Sequence, residues 1–329
     1  MWDSILGHEQ NKEFLKRYLQ VESRPHALLF CGAEGLGKCA LAQQFAKTLL
    51  CLHADGMDGC ESCRLLNFAD GNISHPDFLL LAPEEDSRNI KIEQVKEIIR
   101  QSAFAPVLSK YKVCIVDGAD KMTADAANSF LKLLEEPPQG WVIILIATAE
   151  NALLPTILSR VVRLRFNPVD VALVKQLLQQ QQITEQGAEV LARVSEGSAG
   201  TALALSEQQF FDCRKQALAL IEAFPLPSAF NYLGTFNMPD KDYSQAQLFI
   251  KALQVLMRDM LLLKIAASAD LYNTDLSDEL RELAADWQPR QLRGALRKID
   301  DAYKALTESA GIKLTLEAMA LQIDVLRKE

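Results

Sequence analysis

In the first half of the chain, short apolar runs alternate with segments of helical periodicity. Five runs rich in Val, Ile, Leu and Phe have the length of a strand: 27–31, 78–82, 113–116, 141–147 and 161–166. Between them, apolar residues recur every three or four positions in 41–50, 92–102 and 123–134. Continuously apolar strands are typical of sheets that are buried on both faces. The alternation therefore predicts a parallel five-stranded sheet with helices on both faces.

After Pro168 the strand signals stop, and the remaining sequence predicts helices. The segment 245–267 carries apolar residues at helical spacing, which favours either the core of a helical bundle or a surface that packs against other subunits. With 329 residues, of which 49% are hydrophobic, the chain can bury more than one core. We expect two or three domains.

Charge and composition exclude several classes of protein. A formal net charge of −8 argues against a protein whose whole surface binds nucleic acid or an anionic membrane. The first residues lack the pattern of a secretion signal, and no apolar run approaches the roughly 20 residues of a membrane helix. Seven cysteines, odd in number and unevenly spread, favour reduced thiols or a metal site over a disulfide framework. We expect a cytoplasmic protein that does not bind membranes.

The first apolar run is followed by a candidate phosphate-binding loop. Gly32, Gly37 and Lys38 fill the pattern G-x-x-x-x-G-K, with Gly35 inside it. In such a loop, backbone N–H groups surround a phosphate and the lysine adds a positive charge. The next position, where a Ser or Thr hydroxyl binds magnesium, is Cys39, and a thiol is a poor ligand for that cation. The pattern predicts a nucleotide site with poor use of magnesium, or a glycine turn without a ligand.

An acidic residue follows a second strand. Asp117 directly follows the run 113–116, at the carboxyl end of the strand, where it can face the phosphates. ATPases of this kind usually carry a glutamate at the next position to orient the attacking water, but here that residue is Gly118. Asp120 could assist, although we favour a role for it as the cap of the following helix. The residues predict a site that holds nucleotide and cleaves it poorly.

Three further segments resemble the bacterial sliding-clamp loader family of AAA+ proteins. They are Asn128-Ser129-Phe130-Leu131-Lys132-Leu133-Leu134-Glu135-Glu136-Pro137-Pro138, Ile144-Leu145-Ile146-Ala147-Thr148 and Leu154-Pro155-Thr156-Ile157-Leu158-Ser159-Arg160. Their order and spacing match the family over residues 1 to about 205. The resemblance implies an AAA+ nucleotide-binding-like domain over 1–167, a small helical lid domain over 168–208 and an all-α collar domain over 209–329.

The resemblance also implies roles for single residues. Thr148 is similar to the residue that senses the γ-phosphate, and Ser159 with Arg160 is similar to the Ser-Arg-Cys motif, whose arginine enters the nucleotide site of the neighbouring subunit. Judged without that context, Arg160 would be a surface or salt-bridge arginine. Catalytic members keep Thr after the loop lysine, an Asp-Glu pair and an arginine in the second domain. This chain has Cys39, Gly118 and Gly200 at those positions.

Three cysteines resemble the zinc module of the same family, inserted at about 51–66. They are Cys51, Cys60 and Cys63, and the position of the fourth cysteine is Leu66. Four thiolates, or thiolates with histidine, close a structural zinc site. His53, Asp70 or His75 could supply the fourth ligand; the alternative is three free thiols.

The expected function is that of a non-hydrolysing structural subunit of the clamp loader of DNA polymerase III, which holds ATP or ADP without cleaving it and supplies Arg160 in trans. Its expected partners are catalytic ATPase subunits of the gamma/tau type and the delta subunit, through the collar, and the sliding clamp and primed DNA through the assembled complex. The alternatives are an active AAA+ clamp-loader ATPase and a nucleotide-binding scaffold without a DNA role.

Overall fold

The computed structural model describes residues 2, 5–21, 24–53, 59–68, 72–84, 87–205, 207–225, 242–266, 270–308 and 310–328. Its strands are β1 (Ala27–Cys31), β2 (Leu66–Asn67), β3 (Asn72–Ile73), β4 (Phe78–Leu81), β5 (Lys112–Asp117), β6 (Trp141–Ala147) and β7 (Val162–Arg165). Its helices are α1 (Glu9–Gln20), α2 (Lys38–Leu50), α3 (Glu61–Leu65), α4 (Ile92–Ser102), α5 (Ala124–Glu135), α6 (Pro155–Leu158), α7 (Val171–Gln180), α8 (Glu185–Val194), α9 (Ala199–Ala204), α10 (Glu207–Glu222), α11 (Tyr243–Ile265), α12 (Ser277–Ala285), α13 (Pro289–Thr307) and α14 (Ile312–Lys328).

The five predicted strands form one parallel sheet in the order β4-β5-β6-β1-β7. Strand β1 pairs with β6 on one side and with β7 on the other, so Leu28 lies beside both Ile144 and Val162. This confirms the predicted sheet, with ends displaced by at most one residue. The sequence did not predict the small antiparallel hairpin of β2 and β3.

Helices cover both faces of this sheet because alternate residues of its strands are buried on opposite sides. Leu28 and Phe30 of β1 belong to a core shared with residues of α1 and α2, including Leu15 and Phe45. The other face of β1, represented by Leu29, shares a second core with residues of α4, α5 and α6. The sheet is therefore the middle layer of three.

Parallel strands bring the candidate site residues to one edge. The loop with Gly32 follows β1, Asp117 is the last residue of β5, and Thr148 follows β6. Because the three strands are neighbours and run in the same direction, their carboxyl ends lie side by side.

The described residues group into two compact units. One contains Met1–Val174 and Gly197–Thr201, and the second contains Lys175–Glu196 and Ala202–Glu329. The division into three domains at 167 and 208 remains a prediction.

The second unit is helical. Helix α11 packs against α10, α12 and α13, and α13 packs against α14. Phe249, Leu253, Leu256 and Met260 of α11 are fully buried, which confirms the core interpretation of its apolar stripe. Among the described residues, none of the helices has the length and apolar character that crossing a membrane requires.

Candidate functional site

The candidate phosphate loop lies between β1 and α2, as predicted. Gly35 and Gly37 have φ angles of 73° and 81°, a left-handed conformation that glycine adopts at little cost. The Nζ atom of Lys38 donates hydrogen bonds of 2.5 Å to the carbonyl oxygens of Gly32 and Ala33. Burial lowers the pKa of Lys38, and the nearby Glu34 opposes this effect. The lysine therefore closes the loop from within the chain.

Cys39 is the next residue in the chain after Lys38. Burial raises the pKa of its thiol to about 12, and the neighbouring Asp117 acts in the same direction by accepting a hydrogen bond from it. The thiol is therefore protonated at neutral pH. A protonated thiol offers no charge to a magnesium ion, and poor use of magnesium stays a prediction.

The structure brings Asp120 and Thr148 together. The Oδ2 atom of Asp120 accepts hydrogen bonds from the backbone nitrogen of Thr148, at 3.0 Å, and from its Oγ1 atom. The capping role expected for Asp120 is wrong: Thr123 is the N-cap of α5, and its Oγ1 accepts from the nitrogen of Ala126 at 3.3 Å. Asp120 does not cap α5 because it belongs to a separate turn, Ala119–Lys121, that precedes this helix.

Gly118 occupies a position that disfavours a glutamate. Its φ angle is 87°, and a Cβ atom there would lie 3.1 Å from the Cδ atom of Lys121. Its nitrogen donates to the carbonyl oxygen of Ile146 at 3.1 Å, which holds the backbone in place. A glutamate would be strained in this backbone conformation, because L residues rarely adopt this φ.

A turn from residues 197–201 packs directly onto the phosphate loop, within the first unit. The nitrogen of Gly200 donates to the carbonyl oxygen of Gly35 at 2.8 Å, and Ser198 Oγ donates to the carbonyl oxygen of Glu34 at 3.1 Å. A Cβ atom on Gly200 would lie 2.7 Å from that oxygen of Gly35. The position at which the resemblance expects an arginine in catalytic members therefore has no room for a side chain in this arrangement.

Arg160 lies just after the short helix α6, and three groups of its own chain hold its guanidinium. Its Nη1 atom donates to the carbonyl oxygen of Thr156 at 2.9 Å and to Ser159 Oγ at 3.1 Å. Its Nη2 atom lies 2.8 Å from Oε1 of Glu135, the last residue of α5. Ser159 and Arg160 were predicted from the sequence, whereas Glu135 was not, although it lies in the Leu-Leu-Glu-Glu-Pro-Pro segment of the family resemblance.

The three candidate zinc ligands converge. The Sγ atoms of Cys51, Cys60 and Cys63 lie within 4.8 Å of one another. Cys51 directly follows α2, while Cys60 precedes α3 and Cys63 lies inside it. Three sulfur donors at this separation fit a metal that prefers thiolate ligands, such as zinc. Among the described residues, these three cysteines are the only members of this group of candidate metal ligands.

The expected fourth ligands do not complete this cluster. His75 uses both ring nitrogens elsewhere: Nε2 donates to Ser62 Oγ at 2.9 Å, and Nδ1 accepts from the nitrogen of Asp77 at 3.0 Å. His53 lies outside the cluster, and Asp70 lies outside the described residues. Leu66 is fully buried in the core beneath α2.

Ser62, His75 and Asp77 do not form a catalytic triad. The carboxylate of Asp77 accepts three backbone N–H groups, from Val107 at 2.7 Å and from Leu108 and Ser109 at 2.8 Å each. No hydrogen bond joins that carboxylate to the ring of His75, so it does not orient the ring as a triad requires. Ser62 instead donates to the carbonyl oxygen of Leu50 at 2.6 Å, which links α3 to the end of α2.

Together, the five-stranded order, the loop after the first strand and the polar residues at the ends of the next two strands define an AAA+ class α/β protein. The family model described as "DNA polymerase III, delta subunit" matches residues 7–170. The chain belongs to the family of DNA polymerase III clamp-loader subunits.

Relatives of known identity agree with this assignment. The delta' subunit of Bacillus subtilis (strain 168) is 28% identical over 315 residues, which cover 94% of each chain. The delta' subunit of Escherichia coli (strain K12) is 29% identical over 305 residues, covering 91% of this chain and 89% of that protein. The tau subunit of Bacillus subtilis is 27% identical, but this chain spans only 57% of its length. Full-length likeness is thus to delta' subunits.

Proposed function

We propose that this chain is a non-hydrolysing structural subunit of the DNA polymerase III clamp loader that supplies Arg160 to the nucleotide site of a neighbouring catalytic subunit. The observation that carries the proposal is a contrast within one domain. Its own phosphate loop is closed by Lys38 and by the backbone of Gly200, whereas Arg160 remains 35% exposed at the surface. A guanidinium can stabilise the charge that develops on a transferring phosphoryl group.

Three residues at the candidate nucleotide site argue against turnover by this chain. Cys39 is a protonated thiol where magnesium needs a hydroxyl, Gly118 lacks the carboxylate that orients water, and Gly200 has no side chain to reach the phosphates. Each missing group normally contributes to phosphoryl transfer. ATP or ADP bound at Lys38, with Asp117 and Thr148 at the strand ends, would therefore stay intact.

The proposed partners follow from the family. Catalytic subunits of the gamma/tau type and the delta subunit would contact the helical second unit, and the sliding clamp and primed DNA would be reached through the assembled complex. Two cations, Lys91 just before α4 and Arg100 within it, are paired with acidic residues. Lys91 Nζ lies 3.8 Å from Glu84 Oε2, and Arg100 Nη2 lies 2.8 Å from Glu97 Oε1. We therefore expect weak DNA binding by the isolated chain and salt-sensitive binding by the complex.

The cysteine cluster would hold a structural zinc ion through Cys51, Cys60 and Cys63. Bound zinc would cross-link α3 to the end of α2 through these three sulfur atoms. We expect this ion to be structural and not catalytic.

The deciding experiment measures steady-state Mg-ATP hydrolysis by the isolated chain and by the complex reconstituted with catalytic subunits. We expect no turnover by the isolated chain beyond that of the Lys38→Ala variant. In the complex, Arg160→Ala should reduce turnover by about 10³-fold, as the loss of an arginine finger does. Turnover by the isolated chain that requires Lys38 would instead favour the active ATPase. Failure to assemble with the other subunits would favour a scaffold without a DNA role.

A further inference from the structure

The side chain of Glu135 faces the arginine that the proposed function assigns to the neighbouring site. Its Oε1 atom lies 2.8 Å from Nη2 of Arg160, and the pair lies at the surface, with 49% of the Glu135 side chain and 35% of the Arg160 side chain exposed. Ion pairs this exposed contribute little to folding stability. Folding stability therefore gives little reason for this contact.

Both members of the pair are held by well-anchored backbone. Glu135 is the last residue of α5, which is fixed in the core by the neighbouring Leu133 and Leu134. Arg160 follows α6, where Ile157 is fully buried and the nitrogen of Arg160 donates to its carbonyl oxygen at 3.0 Å. Two rigid elements thus determine where the guanidinium lies, which is the arrangement that precise positioning requires.

The contacts of the guanidinium leave donors free. Of its five N–H groups, those on Nη1 serve Thr156 and Ser159, and one on Nη2 serves Glu135. The Nε–H group and the second Nη2–H group have no assigned partner within the described part of the chain. An arginine held in this way keeps donors for a phosphate oxygen while its long side chain is already ordered.

We propose that Glu135 is a positioning residue that orders Arg160 before it meets the nucleotide of the neighbouring subunit. An unrestrained arginine loses rotamer freedom when it binds, and this cost reduces the rate when the group is needed only in the transition state. The contact with Glu135 restricts the rotamers of Arg160 already in the folded chain, so less rotamer freedom is lost at the neighbouring site. The inference rests on the proposed role of Arg160.

Glu136 provides a matched control. It adjoins Glu135, carries the same charge and is exposed, and within the described residues it makes no ion pair. Any effect of charge alone on assembly or on the field at the neighbouring site would appear in both variants, whereas an effect of contact with Arg160 would appear only at Glu135.

The test uses the complex reconstituted with catalytic subunits and measures kcat and KM for Mg-ATP. We expect Glu135→Ala to lower kcat by about 3- to 10-fold with little change in KM, because ordering matters in the transition state. Glu135→Gln, which retains an acceptor oxygen, should recover most of the rate, and Glu136→Ala should match the wild type. The double variant Glu135→Ala with Arg160→Ala should be no slower than Arg160→Ala alone.

The outcomes separate the two proposals. If Arg160→Ala slows turnover and Glu135→Ala does not, or if Glu135→Ala increases turnover, the positioning role is wrong and the role of Arg160 stands. If Arg160→Ala has no effect, both are wrong. An equal loss in Glu135→Ala and Glu136→Ala would show an effect of charge and would also overturn the positioning role.

Discussion

The backbone nitrogen of Gly200 donates a 2.8 Å hydrogen bond to the carbonyl oxygen of Gly35, so two glycines far apart in sequence bring their backbones together at the phosphate loop. A Cβ atom on Gly200 would lie 2.9 Å from the Cα atom of Gly35. Such a close approach is available only when neither residue carries a side chain. The contact links the turn 197–201 to the loop that would receive a nucleotide.

Gly200→Ala should therefore destabilise the chain. The added methyl group must displace backbone atoms of the loop, which typically costs about 1–3 kcal/mol. Urea unfolding of the full chain measures the change in the free energy of unfolding. Gly311→Ala is the control, since a Cβ atom there would meet nothing within 4 Å, and we expect a loss below about 1 kcal/mol. Equal losses in the two variants would contradict the close contact.

The same substitution should strengthen binding of Mg-ATP to the isolated chain. We expect a nucleotide to displace the turn from the loop in the wild type, at a cost in free energy that weakens the apparent affinity. In Gly200→Ala, the clash of the added methyl group with Gly35 should already displace the turn. Calorimetric titration of both proteins, with Lys38→Ala as the control that removes binding, measures the difference. An affinity that does not change would mean that the turn does not compete with the nucleotide.

Asp77 should contribute strongly to folding stability although it lies outside the candidate nucleotide site. Its carboxylate is fully buried and accepts three backbone N–H groups from residues 107–109. Asp77→Ala leaves these donors without an acceptor, and we expect a loss of at least about 3 kcal/mol. Chemical denaturation measures it. Asp125→Ala, at an exposed position in the first turn of α5, should cost only about 0.5 kcal/mol, and a similar value for Asp77→Ala would refute this account.

Stability should fall as the pH drops below about 6.5, partly because of His75. Burial lowers the pKa of His75 from 6.5, with the nearby Asp77 opposing that effect. Its folded-state pKa is therefore below its unfolded-state pKa, so its contribution is present above pH 6.5 and is lost as the pH falls toward the folded-state pKa. His8, whose pKa is also lowered chiefly by burial, acts in the same direction.

His75→Gln should make the free energy of unfolding less dependent on pH between 5 and 8, whatever its effect at neutral pH. Unfolding at a series of pH values gives the slope for the wild type and for the variant. His53→Gln is the comparison, because it lies on an exposed turn. Identical slopes for all three proteins would rule out titration of His75 as a cause.

The cysteine cluster should bind about one zinc ion per chain. Cys60→Ser removes one of three converging sulfur atoms, so zinc content should fall and addition of a chelator should no longer change the melting temperature. Elemental analysis and thermal unfolding measure both. Cys213→Ser is the control, since this cysteine lies in the second unit. Zinc retained in Cys60→Ser, or absent from the wild type, would contradict the site.

Much of the fold could be predicted because periodicity is a local property. The runs 27–31 and 141–147 are apolar at every position and have the length of typical strands, a combination that favours strands buried on both faces. The stripe on α11 followed from the same principle. The hairpin of β2 and β3 was missed because two-residue strands carry no periodicity.

The sequence by itself determined the loop with Lys38, the unusual residues Cys39 and Gly118, and the position of Arg160. These features could be recognised because each depends on the spacing of residues along the chain. Only the tertiary structure decided that Gly200 closes the loop, that Asp120 holds Thr148 and that Glu135 meets Arg160. These contacts join residues separated by between 25 and 165 positions, and their distances depend on how helices pack on the sheet. No local pattern encodes that packing, since it results from the burial of two cores at once.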